Sequence, residues 1–272
     1  MTARPIAAAV CLHLIFAFAS CALAEAPDTV WLEELTWTEV RDLIQSGKTT
    51  VIVPTGGTEQ NGPHMVLGKH NVRVKILSEK IARGLGNALV APVLAYVPEG
   101  PLGPPSGHMR FPGTITTPDD VFEKVLEAAA RSLKLHGFRD IVLLGDHGAS
   151  QKPQQAVAAR FNREWAKTPA RVHAVEEYYR ASEVEFPELL KARGYRNEEL
   201  GSHAGLTDTS LSLAVEPRLV RGGKLQAGSA GDGVNGDPRR ASAELGRLGV
   251  DLITARTVEA IKRSIAQRGT GR

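Results

Sequence analysis

Side chains able to bind a metal ion are concentrated in three short polar stretches of the sequence. They are Glu59, His64 and His70 in the first stretch, Asp146 and His147 in the second, and His203 and Asp208 in the third. Zinc accepts imidazole nitrogen and carboxylate oxygen, and a catalytic site leaves a position open for water beside three protein ligands. An ion in such a site lowers the pKa of that water and polarises a carbonyl group, as amide hydrolysis at neutral pH requires.

Two of these stretches directly follow an apolar run that is typical of a buried strand. Residues 51–53 (VIV) precede the first stretch, residues 55–71, and residues 141–144 (IVLL) precede the second. In an open parallel sheet, ligands bind in the crevice outside the carboxyl ends of the strands. We therefore expect the polar stretches to meet at one edge of a sheet. The alternative for residues 55–71 is a long solvated loop whose histidines are incidental.

The rest of the chain alternates strand and helix patterns. Thr36 and Glu39 have the spacing of a capping box, so they predict a first helix that stops at Gly47. The further predicted helices begin near Val72, at 117–120, at 151, at 176, after the stretch at 201–210, and at 239. Predicted strands cover residues 50–54, 88–93, 141–144 and 171–175, and a long Pro- and Gly-rich connection covers 94–117. This alternation predicts an α/β fold with three layers (α/β/α) and a mainly parallel sheet.

Composition favours one soluble globular domain. The chain has 272 residues, of which 42% are hydrophobic and 23% are charged. Its formal net charge is +3, and the basic residues form no dense run with aromatic residues between them. Nothing in this pattern indicates a nucleic-acid partner.

The first 24 residues have the pattern of a secretory signal peptide. Arg4 precedes an apolar run at 6–18, which is followed by a small-x-small cleavage pattern at 22–24 (ALA). We predict a signal peptide over 1–24, a single domain over 25–272, a periplasmic or secreted location and no transmembrane span after cleavage. Because Cys11 and Cys21 both lie in this segment, the mature chain would have no thiol for a disulfide, a metal or catalysis. A lipoprotein processing site at 18–21 (FASC), with anchoring through Cys21, is the alternative.

Five dispersed motifs, in the correct order and over most of the mature chain, resemble the creatininase (creatinine amidohydrolase) family. They are TEQ at 58–60 with GPH at 62–64, FPGTI at 111–115, HG at 147–148, HAG at 203–205 with TS at 209–210, and GDP at 236–238 with ASAE at 241–244. The resemblance implies an α/β sandwich that acts as a metal-dependent hydrolase on C–N bonds of cyclic or linear amides. It also implies a homo-oligomer, often a hexamer.

The sequence departs from the family pattern at the metal ligands. The family builds a two-metal site from a Glu, a His, a bridging Asp, a later His and often a Glu two positions after it. Here Glu59 and His147 are retained, whereas Asn61, His70 and Ala149 replace the other three. The resemblance therefore implies one ion per chain rather than two, Zn²⁺ or Mn²⁺, held by Glu59, His70 and His147 with an open position.

The resemblance implies roles for seven further residues. His203 would transfer a proton or stabilise the oxyanion, and Asp208 would act as a base or orient a ligand. Ser106 and His108 would form a wall of the substrate site. Asn61, His64 and Asp146 would support a ligand or bind the ion themselves, and Asp146 has the further alternative of a structural turn residue.

We therefore expect a metal-dependent amidohydrolase that acts on non-peptide C–N bonds, with ion-bound water as nucleophile and a small-molecule amide as substrate. Creatinine specificity is not expected, because the replaced ligands remove half of the family's metal apparatus. The alternative, which the same replacements favour, is a non-catalytic protein that binds a small ligand on the same scaffold.

Overall fold

The computed structural model describes residues 27–270, except for the side chains of 268–270. The predicted signal peptide and both cysteines lie outside the described residues. Within them, four strands form one parallel sheet in the order β2-β1-β3-β4. The strands are β1 (Thr50–Thr55), β2 (Ala88–Val90), β3 (Asp140–Gly145) and β4 (Arg171–Ala174). Thr50 of the central strand β1 pairs with Ala88 on one side and Asp140 on the other.

Helices connect these strands and continue after them. They are α1 (Trp37–Gln45), α2 (Lys69–Leu85), α3 (Asp119–Leu135), α4 (Gln151–Glu164), α5 (Glu177–Arg180), α6 (Phe186–Lys191), α7 (Asn197–Leu200), α8 (Leu206–Val215) and α9 (Ala243–Thr270). A π-helical segment, Ala181–Glu185, joins α5 to α6. No helix within residues 27–270 has the combination of length and hydropathy that a bilayer span requires.

Alternate side chains of each strand enter two separate cores. Ile52 and Val142 pack with α2, α5, α6, α8 and α9 on one face of the sheet. Val51 and Ile141 pack with α3 and α4 on the other face, and α1 lies at the edge of that core. Because successive strand residues point to opposite faces, the unbroken apolar runs require helices on both sides. The predicted three-layer α/β fold with a parallel sheet is confirmed.

The ends of α1 follow the sequence closely. The Thr36 side chain accepts a hydrogen bond from the Glu39 amide at 3.3 Å, and the Glu39 carboxylate accepts one from the Thr36 amide at 2.6 Å. This is the predicted capping box.

Four helices differ from the predicted boundaries. Helix α8 begins at Leu206, inside the stretch at 201–210 that was predicted to precede it, and α9 begins at Ala243 rather than 239. Helix α2 begins at Lys69 rather than near Val72, so His70 lies in its first turn and not in the preceding loop. The polar residues at 69–71 carry no apolar periodicity that would have indicated this. The predicted helix over 176–193 is divided into α5, the π segment and α6.

The long connection at 94–117 folds over the carboxyl edge of the sheet beside residues 55–71. The Gly56 amide donates to the Leu94 carbonyl at 2.9 Å, and the Ile115 amide donates to the Thr58 carbonyl at 2.9 Å. A short 3-10 helix, Gly107–Arg110, lies within the connection. Two chain segments that are distant in sequence thus enclose one space.

Candidate active site

A polar cavity of about 270 Å³ lies at the carboxyl edge of the sheet. Glu59 reaches it from the connection after β1, His147 from the end of β3 and His108 from the 3-10 helix, whereas His203 precedes α8. The full lining comprises Glu59, Lys69, His70, His108, Asp146, His147, Gly148, Tyr179, Glu183, Ser202, His203 and Asp208. All three polar stretches that were singled out in the sequence therefore meet here.

The buried carboxylate of Glu59 lies at the centre of a group of imidazoles. His70 Nε2 lies 2.8 Å from Glu59 Oε1. On the other oxygen, Oε2, His147 Nε2 lies at 3.2 Å and His108 Nε2 at 3.3 Å. Oε2 is buried and makes no hydrogen bond to any described residue. Two imidazole nitrogens thus lie close to Oε2 without forming a hydrogen bond to it.

This convergence fits the spacing of ligands around one cation. One nitrogen or oxygen atom each of Glu59, His108 and His147 lies within 4.8 Å of the other two. Ligands with zinc bonds of about 2.0–2.2 Å are separated by roughly 3–4 Å. His70 does not belong to this mutually close group, since it approaches Glu59 from the Oε1 side, and its ring centroid is 5.5 Å from that of His147.

The hydrogen bonds of His70 and His108 make His70 the better candidate for a metal ligand. His70 Nδ1 lies 2.6 Å from Asp146 Oδ2, and a proton on Nδ1 leaves the Nε2 lone pair free for an ion, as is usual for histidine ligands. In contrast, the Gln60 side-chain amide donates to His108 Nδ1 at 2.9 Å. Neutral His108 then carries its proton on Nε2, which makes that atom a hydrogen-bond donor.

Sequence reasoning missed Glu99, a second buried carboxylate at this cluster. Glu99 Oε2 lies 3.0 Å from His147 Nε2, and both carboxylate oxygens lack a hydrogen-bond partner among the described residues. The residue lies in the Pro- and Gly-rich connection at 94–117, where no motif or periodicity distinguishes it. Only the fold brings it to His147.

The ionisation of Glu59 and His147 follows from their proximity. Burial opposes the charge of Glu59, but the adjacent imidazoles of His147 and His70 outweigh it and hold the pKa of the carboxyl well below its usual value. Burial likewise opposes a charged His147, but Glu59 and Glu99 raise its pKa to about 10. The two carboxylates thus attract positive charge to His147 Nε2, where a metal ion could take the place of the proton.

A separate set of fixed charges surrounds Asp146 and Asp208. Arg73 Nε donates to Asp146 Oδ2 at 2.8 Å, and its Nη1 donates to Asp208 Oδ1 at 2.6 Å. Asp208 also pairs with Lys69 and accepts from the Ala204 amide at 2.9 Å. Burial opposes ionisation of Asp208, but Lys69 and Arg73 overcome it and hold its pKa well below the usual value. The Asp208 carboxylate is therefore occupied by structural partners.

His203 lies at the cavity as a neutral imidazole. Its Nε2 is 3.0 Å from the Gln60 carbonyl oxygen, which can only accept, so this nitrogen carries the proton. Nδ1 is 3.8 Å from Glu59 Oε1. Burial, with a contribution from Lys69, lowers the pKa of His203 to about 4. At neutral pH this residue presents an unprotonated Nδ1 that can accept a proton.

The other predicted residues lie around the cluster rather than in it. The side-chain amide of Asn61 donates to the Glu59 carbonyl at 2.9 Å and to the Val66 carbonyl at 3.1 Å, which holds the loop in shape. His64 is buried, and its Nε2 lies 3.0 Å from the hydroxyl of Thr209 in α8. Ser106 is exposed and does not line the cavity, whereas His108 does.

This chain is therefore an α/β protein with a parallel sheet and a pocket that could bind a metal ion at the carboxyl edge of that sheet. The chain belongs to the creatininase family, since the family model for creatinine amidohydrolase matches residues 33–261. The resemblance stated from the dispersed motifs is thereby confirmed.

Curated relatives of this family are hydrolases with different substrates. A 3-dehydro-scyllo-inosose hydrolase of Thermotoga maritima is 25% identical over 207 residues, which are 72% of this chain but only 59% of that enzyme. Creatinine amidohydrolase of Pseudomonas putida is 26% identical over 195 residues, 71% of this chain and 74% of the enzyme. A mycofactocin precursor peptide peptidase of Mycolicibacterium smegmatis is 27% identical over 223 residues, 77% of each chain.

Solved creatininases have the same fold. A creatinine amidohydrolase structure matches with a TM-score of 0.73 and 24% identity over 88% of this chain and 99% of its own. A manganese form of creatininase matches with a TM-score of 0.70 and 25% identity over 87% of this chain and 99% of its own. Similarity at this level of identity supports the shared fold. The metal ligands of this chain must be inferred from its own residues.

Proposed function

We propose that this chain is a metal-dependent hydrolase of the C–N bond in a small amide, with one Zn²⁺ or Mn²⁺ ion per chain. Glu59 Oε2 carries the proposal, because it is buried among imidazole nitrogens at 3.2–3.3 Å and makes no hydrogen bond to a described residue. A buried carboxylate oxygen without a hydrogen bond costs free energy that a bound cation would recover.

The charges of the site fit a divalent ion. Arg73 and Lys69 balance Asp146 and Asp208 through ion pairs. Within residues 27–270, by contrast, Glu59 and Glu99 pair with histidines alone. The carboxyl groups of Glu59 and Glu99, which no described lysine or arginine pairs with, are thus left for an ion to bind.

Each nearby residue has a role that its hydrogen bonds support. Glu59, His70 and His147 would hold the ion, with Asp146 fixing the ring of His70. When bound, a divalent ion supplies a water of lowered pKa and polarises the amide carbonyl. His203 Nδ1 would accept a proton from the attacking water and return it to the leaving nitrogen, while His108 Nε2–H would donate to the substrate. Asp208 would position Lys69 and Arg73 rather than act as the base.

The cavity limits the substrate to a small polar molecule. Its volume of about 270 Å³ lies just below the ~300–1,000 Å³ typical of pockets for drug-sized ligands. Its lining is almost entirely polar and ionisable. Cyclic amides, formamides and the end of a short peptide are therefore the substrates to compare, and we propose the non-peptide amides.

The test is metal analysis of the purified protein together with hydrolysis of a panel of lactams, formamides, short amides and dipeptides. We expect close to one Zn²⁺ or Mn²⁺ per chain, loss of hydrolysis on chelation and recovery on reloading. Glu59→Gln should abolish both metal retention and hydrolysis.

Glu199→Gln is a matched control, because this glutamate is also buried but pairs with Arg196 and Arg240 outside the cavity lining. Hydrolysis that persists without metal would overturn the proposal. Tight binding of a metabolite, with neither metal nor turnover, would establish the alternative of a binding protein.

A further inference from the structure

The Glu99 carboxyl group is fully buried, and no described residue donates a hydrogen bond to it. Its side chain has 0% exposure, and neither oxygen is hydrogen-bonded to any described residue. Its short polar contact is Oε2 to His147 Nε2 at 3.0 Å. A charged group in this state is costly unless a cation binds it.

The backbone around Glu99 is built to hold the side chain in this position. The Glu99 amide donates to the Thr116 hydroxyl at 3.0 Å, and Val97 forms an isolated parallel bridge with Thr116. Across the gap, Gly57 has a φ of 156°, and a Cβ on it would lie only 2.7 Å from Glu99 Oε1. The lack of a side chain at Gly57 leaves room for the carboxylate.

We propose that Glu99 is itself a ligand of the ion, from the connection after β2, so that the ion would have four protein ligands and a fifth position for water. This inference rests on the proposed function. Ala149, two positions beyond His147, has no carboxylate to offer. Glu99 would restore a carboxylate from a different part of the fold.

A ligand fits the position of Glu99 better than a general base does. A base must reach water in the cavity, whereas Glu99 is fully buried and is not among the residues that line it. A ligand need only reach the ion. Glu99 Oε2 is as close to His147 Nε2 as Glu59 Oε2 is, at 3.0 and 3.2 Å. Each separation suits two ligands on one ion, although Glu99, like His70, lies outside the mutually close group of Glu59, His108 and His147.

The test is the affinity of metal-stripped protein for Zn²⁺, measured by competition with a chromophoric chelator, for the wild type, Glu99→Gln and the control Glu199→Gln. We expect Glu99→Gln to bind Zn²⁺ roughly 10–100-fold more weakly and to change the visible absorption of the Co²⁺-loaded protein. Glu199→Gln should match the wild type in both measurements.

Thermal unfolding of the metal-free proteins separates a ligand from a structural role. Glu99→Gln should unfold near the wild-type temperature, because the lower cost of burying a neutral amide offsets the loss of the carboxyl contact with His147. A lower unfolding temperature without a change in Zn²⁺ affinity would assign Glu99 a structural role.

The outcomes distinguish this inference from the proposed function. Wild-type Zn²⁺ affinity in Glu99→Gln would overturn the role of Glu99 and leave the hydrolase proposal standing. Failure of the wild-type protein to bind Zn²⁺, Mn²⁺ or Co²⁺ would overturn both. If Glu99→Gln does not fold, Glu99→Asp is used instead. It keeps the carboxylate, but its side chain is one methylene shorter and reaches less far toward the ion. That variant is expected to weaken Zn²⁺ binding at least 10-fold, and wild-type affinity in it would overturn the inference.

Discussion

Gln60 determines which nitrogen carries the proton in two histidines of the cavity. The Gly62 amide donates to Gln60 Oε1 at 2.9 Å, which fixes the orientation of the side-chain amide. Its NH₂ group then donates to His108, while the Gln60 backbone carbonyl accepts from His203. Two rings whose centroids are 4.5 Å apart thus present different chemistry, a donor on His108 and an acceptor on His203.

The proton-accepting role of His203 predicts a loss of turnover without a loss of metal. His203→Asn should lower kcat by about 10²–10⁴-fold, the usual contribution of a general acid–base group. Zn²⁺ affinity should stay within a few-fold of wild type. Steady-state kinetics and metal titration measure the two quantities, and loss of metal from this variant would show that His203 is a ligand instead.

His70 and His108 should differ in their effects on metal binding. His70→Ala is expected to weaken Zn²⁺ binding roughly 100-fold or more, because its Nδ1 is fixed by Asp146 and its Nε2 is free for an ion. His108→Ala should retain the ion and lose turnover. Chelator competition on both variants makes the comparison, and the reverse order would assign the third imidazole ligand to His108.

The first two turns of α2 link the sheet edge to α8. Lys69, His70 and Arg73 all lie there, and Arg73 bridges Asp146 after β3 and Asp208 in α8. Arg73 is almost fully buried, and it pairs with both aspartates. The same turns therefore position His70 and hold two elements together.

Removing this arginine should be strongly destabilising. Arg73→Met leaves two buried carboxylates without their shared partner, and breaking such a pair costs about 3–5 kcal/mol. Urea unfolding at neutral pH measures the loss. Arg83→Met on the same helix is the matched control, since Arg83 pairs with Asp28 and Glu79 at the surface, and it should leave the midpoint unchanged. Equal effects of the two substitutions would contradict the proposed role of the buried network.

Local sequence patterns predicted the strands and helices better than the group of buried charged residues at the candidate active site. Periodicity and caps located the strands and most helices, since residues such as Val51 and Ile141 are apolar because of the face they occupy. The division of the helix over 176–193 was missed, because its apolar residues Tyr178 and Phe186 continue across the π segment. Glu99 and Arg73 were missed because only tertiary packing distinguishes a buried charge from an ordinary surface charge.

At the scale of the whole molecule, the chain has an export pattern followed by one α/β unit. The family match at 33–261 begins after the predicted signal peptide. Export remains a proposal from the sequence, as does assembly into a homo-oligomer.

Cleavage after Ala24 predicts a mature chain that begins at Glu25. Expression of the full sequence with its natural leader and intact-mass analysis of the periplasmic and membrane fractions test this. We expect soluble mature protein in the periplasm, with Cys21→Ala having no effect on its location. Recovery from membranes that depends on Cys21 would instead establish the lipid-anchored form.

The proposed ligands come from connections after three different strands, with His70 at the start of α2. No single peptide segment contains them all, so the full donor set exists only once the carboxyl edge has folded. An ion held there would link the connections after β1, β2 and β3, and it would slow unfolding of the metal-bound protein. Chelation should then expose the connection at 94–117 to proteases before the distant cores are affected.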